Sequence, residues 1–195
     1  NDDSVLLNRA TQGQYPPGST FKIITALEYI RENPDSYMNY RYTCNGRYTN
    51  GADINISCFH GSTHGEEDFF KSFAKSCNSS FANIGMSLDR DKFGKTLNEL
   101  LYNEKLPLDI NYNVSKLTVD GSLSDYDMSQ ISIGQGNATI SPIQLNMITN
   151  AIANNGILMK PMFITEVVDA NNMIIKEYKP EEYKRSVSFK AEDIC

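Results

Sequence analysis

The chain has 195 residues, which is enough for one domain with a buried core. Its hydrophobic content of 40% and charged content of 22% are those of an ordinary globular protein. The net charge of −6, without a cluster of lysine and arginine, argues against a nucleic acid as partner. No apolar run approaches the roughly 18–20 residues that a membrane span needs. The first residue is Asn1 and not methionine, which suggests a cut from a longer, anchored chain.

After a polar and irregular start at residues 1–14, the sequence Tyr-Pro-Pro-Gly at 15–18 predicts a stiff turn followed by a helix. Ser19 then lies at the helix N-terminus, where free N–H groups favour developing negative charge. Lys22 lies one helical turn further on the same face. A desolvated lysine with a lowered pKa can take the proton of a serine hydroxyl. The stretch is therefore interpreted as a serine nucleophile with its base. The helix is predicted to end at Asn33-Pro34.

A second Ser-x-x-Lys, at Ser72 and Lys75, is interpreted as an ordinary helix pair. It lies in a helix predicted for residues 66–75, with a further helix from residue 81 to about 88. Between them stand Ser76, Cys77 and Asn78, the one Ser-x-Asn of the chain. These small polar residues could point into a cleft, or Asn78 or Ser79 could simply cap the second helix.

The four cysteines leave the redox state open. Residues 40–58 predict short strands with hairpin turns, so Cys44 and Cys58 could face each other as a disulfide or as free thiols. With His60 and His64 they could also enclose a tetrahedral zinc, but the spacing fits no standard zinc finger. We therefore expect no metal and no cofactor. Cys77 is expected to be a buried free thiol, and Cys195 to be exposed.

The second half of the chain predicts fewer candidate site residues. Residues 91–102 predict a helix, residues 103–127 a loop, and Ser141-Pro142 the start of a helix that stops at Asn155-Gly156. Gly134-Gln135-Gly136 is a weak match to a nucleotide-binding loop. Residues 163–168 and 173–178 predict the two strands of a β-hairpin. Residues 179–185 are predicted to form a charged surface, and residues 187–195 are predicted to begin another element.

Several of these motifs occur in one order, and together they resemble the transpeptidase domain of penicillin-binding proteins, most closely the membrane-anchored class B kind. Ser-x-x-Lys and Ser-x-Asn belong to the motif set of this family. The residues that carry the resemblance are Asn8-Arg9-Ala10, the stretch 15–22, His64-Gly65, Ser76-Cys77-Asn78, Gly134-Gln135-Gly136, Thr139, Ser141, Pro142, Gln144 and Ala153–Gly156.

The resemblance implies an α/β (α+β) fold of the penicillin-binding protein and serine β-lactamase kind. It implies that Ser19 is the acylated nucleophile and Lys22 its base, that Ser76 relays a proton, and that Asn78 binds the substrate's amide. Gly18, Ser76 and Asn78 would line the substrate site. The implied substrate is a peptidoglycan stem peptide ending in D-Ala-D-Ala, with β-lactams as inhibitors. The resemblance also implies that the protein is located at the outer face of the bacterial cytoplasmic membrane, where it would act with cell-wall synthesis partners.

The family's third motif, Lys-Thr/Ser-Gly, is absent from the sequence, because Leu97 follows Lys95-Thr96. We therefore expect residues 1–195 to be one partial transpeptidase domain, mainly its helical part with short β-hairpins, and weakly active or inactive alone. The alternatives are a β-lactam-sensing binding domain, a serine β-lactamase-like protein and a non-catalytic structural domain.

Overall fold

The computed structural model describes residues 6–185 and shows α/β architecture over that range. The helices are α1 (Lys22–Glu32), α2 (Phe69–Ala74), α3 (Asn78–Ser87), α4 (Arg90–Glu99), α5 (Asp125–Ile131) and α6 (Pro142–Ala153). The strands are β1 (Arg41–Cys44), β2 (Arg47–Asn50), β3 (Ile54–Ser57), β4 (Gly65–Asp68), β5 (Ile157–Met159), β6 (Glu166–Val168), β7 (Ile174–Glu177) and β8 (Glu182–Arg185). The strands form four antiparallel pairs, β1–β4, β2–β3, β5–β8 and β6–β7.

Helix α1 is buried on two sides, and this fixes the position of the Ser-x-x-Lys turn at its start. One side packs Ile24 and Leu27 into a cluster with apolar residues of α4, α5 and α6. The other side packs Ala26 and Ile30 against β3, α2 and α3. An isolated helix of 11 residues is marginal in water, so this double burial is what stabilises it. Helix α1 ends at Glu32 with Asn33 as its C-cap, as predicted.

Side-chain caps explain where four other helices begin. Asp68, Asp89, Ser124 and Ser141 each accept a hydrogen bond from the backbone N–H three residues on. The Ser124 hydroxyl also donates to the Asp127 carboxylate at 2.6 Å. The prediction of a loop over residues 103–127 was therefore wrong at its end, because α5 begins at Asp125.

Three further boundaries differ from the predictions. Residues 66–68 are not helical, because they pair with β1 in strand β4, and α2 begins only after the Asp68 cap. Helix α3 begins at Asn78 and not at residue 81, because Cys77 and neither Ser79 nor Asn78 is its N-cap. The charged residues 182–185 form strand β8 against β5. Pairing with a strand distant in sequence explains the differences at residues 66–68 and 182–185.

Other predicted elements are confirmed. Strands β2 and β3 form the hairpin between Cys44 and Cys58, β6 and β7 form the hairpin around residues 169–172, and α6 begins with Pro142 behind the Ser141 cap. The element predicted for residues 187–195 lies outside the described residues. Within residues 6–185, no helix is long and apolar enough to cross a membrane.

Candidate active site

Ser19 lies in a 3-10 turn, Gly18–Phe21, that leads directly into α1. The Pro-Pro-Gly entry sets this turn, because Gly18 has φ of +56°, a conformation that glycine adopts without strain. Ser19 is exposed, whereas Lys22 is 2% exposed. The Lys22 ammonium donates to Ser19 Oγ at 3.2 Å. The predicted nucleophile and base are therefore in hydrogen-bond contact.

Gly134 packs against the turn Gly18–Phe21 and supports it. The Gly18 N–H donates to the Gly134 carbonyl at 2.9 Å, and Tyr15 and Ile140 exchange two backbone hydrogen bonds nearby. A Cβ atom on Gly134 would lie 1.9 Å from the Gly18 carbonyl oxygen. The Gly134-Gln135-Gly136 segment, which in the sequence is a weak match to a nucleotide-binding loop, thus packs against the turn Gly18–Phe21, called the serine turn below. Its contact partner is 116 residues away in sequence, so spacing alone could not reveal this contact.

The Lys22 ammonium also binds the Ser76-Cys77-Asn78 segment. Its Nζ lies 2.7 Å from the Ser76 carbonyl oxygen, 2.9 Å from Ser76 Oγ and 2.6 Å from Asn78 Oδ1. The three N–H groups of the ammonium are shared among these acceptors and Ser19 Oγ. Asn78 Nδ2 in turn donates to the Ser57 carbonyl at 3.0 Å, at the end of β3. Four of the predicted site residues, Ser19, Lys22, Ser76 and Asn78, therefore meet at one amine.

Burial lowers the pKa of Lys22 from 10.5 to about 8. Desolvation is the main cause, and the nearby Cys77 and Cys58 oppose it, because thiolate charge would favour the ammonium form. An amine with this pKa has an appreciable neutral fraction near neutral pH, so Lys22 can act as a base.

Ser76 has φ of +51°, in the left-handed region that residues other than glycine rarely adopt. Such strained residues occur at functional sites when their surroundings hold them. Here the Ser76 N–H donates to the Phe73 carbonyl, the Ser76 carbonyl accepts from Lys22, and α3 begins two residues later. The conformation directs the Ser76 hydroxyl toward the Lys22 amine.

The second Ser-x-x-Lys has no such arrangement. Ser72 is fully buried and its Oγ accepts a hydrogen bond from Ser80 Oγ at 2.7 Å. Lys75 is exposed and donates to the His64 carbonyl at 3.2 Å. The structure thus shows the ordinary helical pair that the sequence analysis expected.

The structure distinguishes between the alternatives left open for Cys44 and Cys58, and Cys77 is a buried free thiol as predicted. Cys44, Cys58 and Cys77 are buried free thiols, with 3.7 Å between Sγ of Cys44 and Sγ of Cys58, so this pair is not a disulfide. His64 Nδ1 lies 3.3 Å from Cys44 Sγ. His60 is exposed, with its ring against that of Phe59. Cys77, and not His60, is therefore the fourth member of this group, and Cys195 lies outside the described residues.

The family model of the penicillin-binding protein transpeptidase domain matches residues 1–194. The chain therefore belongs to this family. It is 30% identical over 190 residues to peptidoglycan D,D-transpeptidase PbpA of Mycolicibacterium smegmatis, a match that covers 95% of the chain and 38% of the relative. It is 25% identical over 177 residues to stage V sporulation protein D of Bacillus subtilis, covering 89% of the chain and 27% of the relative. The chain thus spans well under half the length of these relatives.

Solved structures show the same fold. PBPA from Mycobacterium tuberculosis superposes with a TM-score of 0.83 at 23% identity, over 100% of this chain and 45% of that one. The D,D-transpeptidase domain of a peptidoglycan glycosyltransferase from Eggerthella lenta gives 0.85 at 23% identity, over 99% of this chain and 50% of that one. The fold class expected from the resemblance is thereby confirmed.

Proposed function

We propose that this chain carries the catalytic serine of a peptidoglycan D,D-transpeptidase, which is acylated at Ser19. The observation that carries the proposal is the buried Lys22 amine, which contacts Ser19 Oγ, Ser76 Oγ and Asn78 Oδ1 at once. The names of the relatives, peptidoglycan D,D-transpeptidases among them, support this reaction over a β-lactam-sensing domain.

In the acylation step, neutral Lys22 takes the proton of Ser19 as Oγ attacks the carbonyl carbon of the penultimate D-Ala. The N–H of Ser19, near the start of its 3-10 turn, has no partner within that turn and can stabilise the oxyanion. When the C–N bond breaks, Ser76 passes a proton from the Lys22 ammonium to the departing D-Ala amine. An amine of a second stem peptide then attacks the ester, releases Ser19 and forms the cross-link.

Asn78 is suited to bind the peptide amide because its side chain is already oriented. Its Oδ1 accepts from Lys22 and its Nδ2 donates to the Ser57 carbonyl, which leaves one N–H and one lone pair free by valence. Gly18 lies next to the nucleophile, and its lack of a side chain would leave room for the substrate there, while its own N–H is held by the Gly134 carbonyl. We propose that an extended acyl-D-Ala chain lies between the Ser76-Cys77-Asn78 segment and the turn that carries Ser19, and that it bonds to the free Asn78 groups.

The proposed inhibitors, the location and the extent of the domain are consistent with the proposed reaction. Penicillin G forms an acyl-enzyme complex with PBPA of M. tuberculosis, and we infer that β-lactams acylate Ser19 in the same manner. The proposed location is the outer face of the bacterial cytoplasmic membrane, through an N-terminal anchor outside these residues and together with cell-wall synthesis partners. Residues 1–195 are proposed to form part of one domain, which agrees with a single family match across residues 1–194.

The test is release of D-alanine from an acyl-D-Ala-D-Ala peptide by the complete gene product that contains this chain, with an amino acceptor present. We expect release together with a cross-linked product, both blocked by benzylpenicillin. Residues 1–195 measured alone should be weakly active or inactive, since they lack a Lys-Thr-Gly sequence. Release of D-alanine without any cross-linked product would indicate a carboxypeptidase or hydrolase instead, and no release at all would contradict the proposal.

A further inference from the structure

Three cysteines and one histidine from four separate segments meet beside the Ser76-Cys77-Asn78 segment. They are Cys44 at the end of β1, Cys58 after β3, His64 before β4, and Cys77 at the start of α3. Their three sulfur atoms and one ring nitrogen all lie within 4.8 Å of one another, and the three cysteines are buried. We propose that these four residues bind one Zn²⁺, which holds the Ser76-Cys77-Asn78 segment in place.

The distances fit a tetrahedral zinc site. With Zn–S bonds of about 2.3 Å and Zn–N bonds of about 2.0 Å, a regular tetrahedron has S–S edges of about 3.8 Å and S–N edges of about 3.5 Å. The Cys44–Cys58 and Cys58–Cys77 Sγ distances are both 3.7 Å, and Cys44 Sγ lies 3.3 Å from His64 Nδ1. A disulfide needs about 2.05 Å and would leave a third thiol and the imidazole unused.

The types of ligand indicate which metal binds and that it has a structural role. Three thiolates and an imidazole suit zinc, whereas magnesium and calcium prefer oxygen ligands. Four protein ligands fill a tetrahedral site and leave no position for a reacting water, which is typical of a structural zinc. The proposed zinc therefore positions residues and does not take part in acyl transfer. We expected no metal from the sequence because the spacing of Cys44, Cys58, His60 and His64 fits no standard zinc finger, and Cys77 was not among the ligands considered.

The surroundings of the sulfur atoms also suit bound thiolates. Ser79 Oγ lies 3.1 Å from Sγ of Cys44, 3.3 Å from that of Cys77 and 3.4 Å from that of Cys58, while the Ser80 N–H donates to Cys77 Sγ. Hydrogen-bond donors of this kind orient metal ligands and stabilise their charge. Glu67, 1% exposed, lies beside the Cys77 thiol.

Cys77 connects the proposed metal to the candidate active site. It stands between Ser76 and Asn78, which both accept from Lys22, and it is also the N-cap of α3. A bond from Cys77 to zinc would fix the backbone on which the strained Ser76 depends. The same metal would tie together β1, the end of β3 and the segment before β4, none of which is joined here by a disulfide. The expected effect on acylation rests on the proposed function, whereas zinc binding itself does not.

The first test is the metal content of the complete gene product, purified without chelator. We expect about one zinc per chain, and three fewer thiols that react with a disulfide reagent until the zinc is removed. Replacement by Co²⁺ should give the visible absorption bands of tetrahedral, thiolate-bound cobalt. Less than about a tenth of a zinc per chain, a stoichiometric iron instead, or a Cys44–Cys58 disulfide in the purified protein would each overturn the proposal.

Matched variants test which residues bind the metal. His64→Asn and Cys58→Ser should lower zinc affinity by about tenfold or more, whereas His60→Asn and Cys195→Ser should retain about one zinc per chain. If a ligand variant does not fold, the cobalt spectrum of the unmodified protein still decides the question, because an imidazole and three thiolates give a recognisable charge-transfer intensity. Equal zinc affinity in His60→Asn and His64→Asn would contradict the ligand set.

The positioning role is tested by removing the zinc from the unmodified protein with a chelator. Acylation by benzylpenicillin should slow by tenfold or more and recover when Zn²⁺ is added back, while acylation of His60→Asn should respond in the same way. Loss of zinc with unchanged acylation would contradict the positioning role. A protein that binds zinc but never forms an adduct would instead count against the proposed function.

Discussion

Lys22→Met is expected to lower the second-order rate of acylation by benzylpenicillin by about 10²–10⁴-fold, the usual contribution of a general base. Methionine fills much of the same buried space but cannot take the Ser19 proton. The acceptors that lose their donor, Ser76 and Asn78, are exposed or half-buried, so water can replace it and the fold should persist. Lys75→Met is the matched control, since Lys75 belongs to the second Ser-x-x-Lys and is exposed.

The pH profile separates a base from a merely structural lysine. Because burial lowers the pKa of Lys22 to about 8, the neutral amine is the minor form at neutral pH and the major form above about pH 8. The acylation rate should therefore rise about tenfold between pH 6 and pH 7 and level off above about pH 9. This rise should be lost in Lys22→Met and kept in Lys75→Met. A flat profile in the unmodified protein, or a Lys22→Met rate near that of the control, would show that another group takes the proton.

Gly134→Ala is expected to disrupt the serine turn. Gly134 has φ of +75°, and its new Cβ would lie 1.9 Å from the Gly18 carbonyl oxygen and 2.8 Å from the Phe21 Cβ. Strain at such a φ alone costs about 1–3 kcal/mol, and the collision must also displace the backbone that carries Ser19. We expect the free energy of unfolding to fall by more than about 3 kcal/mol and acylation to be lost.

Gly51→Ala is the control for Gly134→Ala. Gly51 also has a positive φ, +64°, but an added Cβ there has no other atom within 4 Å. It should show the cost of strain alone, about 1–2 kcal/mol, with acylation unchanged. The two variants are compared by urea unfolding and by the rate of adduct formation. Equal losses of stability and of rate in both would mean that Gly134 does not support the serine turn in the way the contacts indicate.

The sequence revealed the parts of the site that are local. Ser19 and Lys22 are separated by one helical turn, and the Pro-Pro-Gly entry before them sets that turn, so their contact followed from spacing. The proximity of Ser76 and Asn78 to Lys22 spans more than 50 residues and was expected only through the family resemblance. Chain periodicity does not encode such distances, which depend on how α1 and α3 pack.

The errors have physical reasons as well. Residues 66–68 have the composition of a helix, but pairing with β1 makes them a strand. The start of α5 was missed although Ser124 and Asp127 form a capping pair that the sequence displays. Cys77 is the buried free thiol that the sequence predicts, but its meeting with Cys44, Cys58 and His64 was not predicted, because it requires the β1–β4 and β2–β3 pairs to be in place. In each case except α5 the missing information is non-local.

The assignment of Ser19 as the nucleophile is tested most directly by locating the penicilloyl adduct, using peptide mapping of the complete gene product after reaction with benzylpenicillin. We expect one adduct, on the peptide that contains Ser19, absent in Ser19→Ala and retained in Ser72→Ala. An adduct on the peptide with Ser72 or Ser76, or an adduct that survives in Ser19→Ala, would contradict the assignment of the nucleophile. A folded protein that forms no adduct at all would contradict the proposed enzyme activity itself.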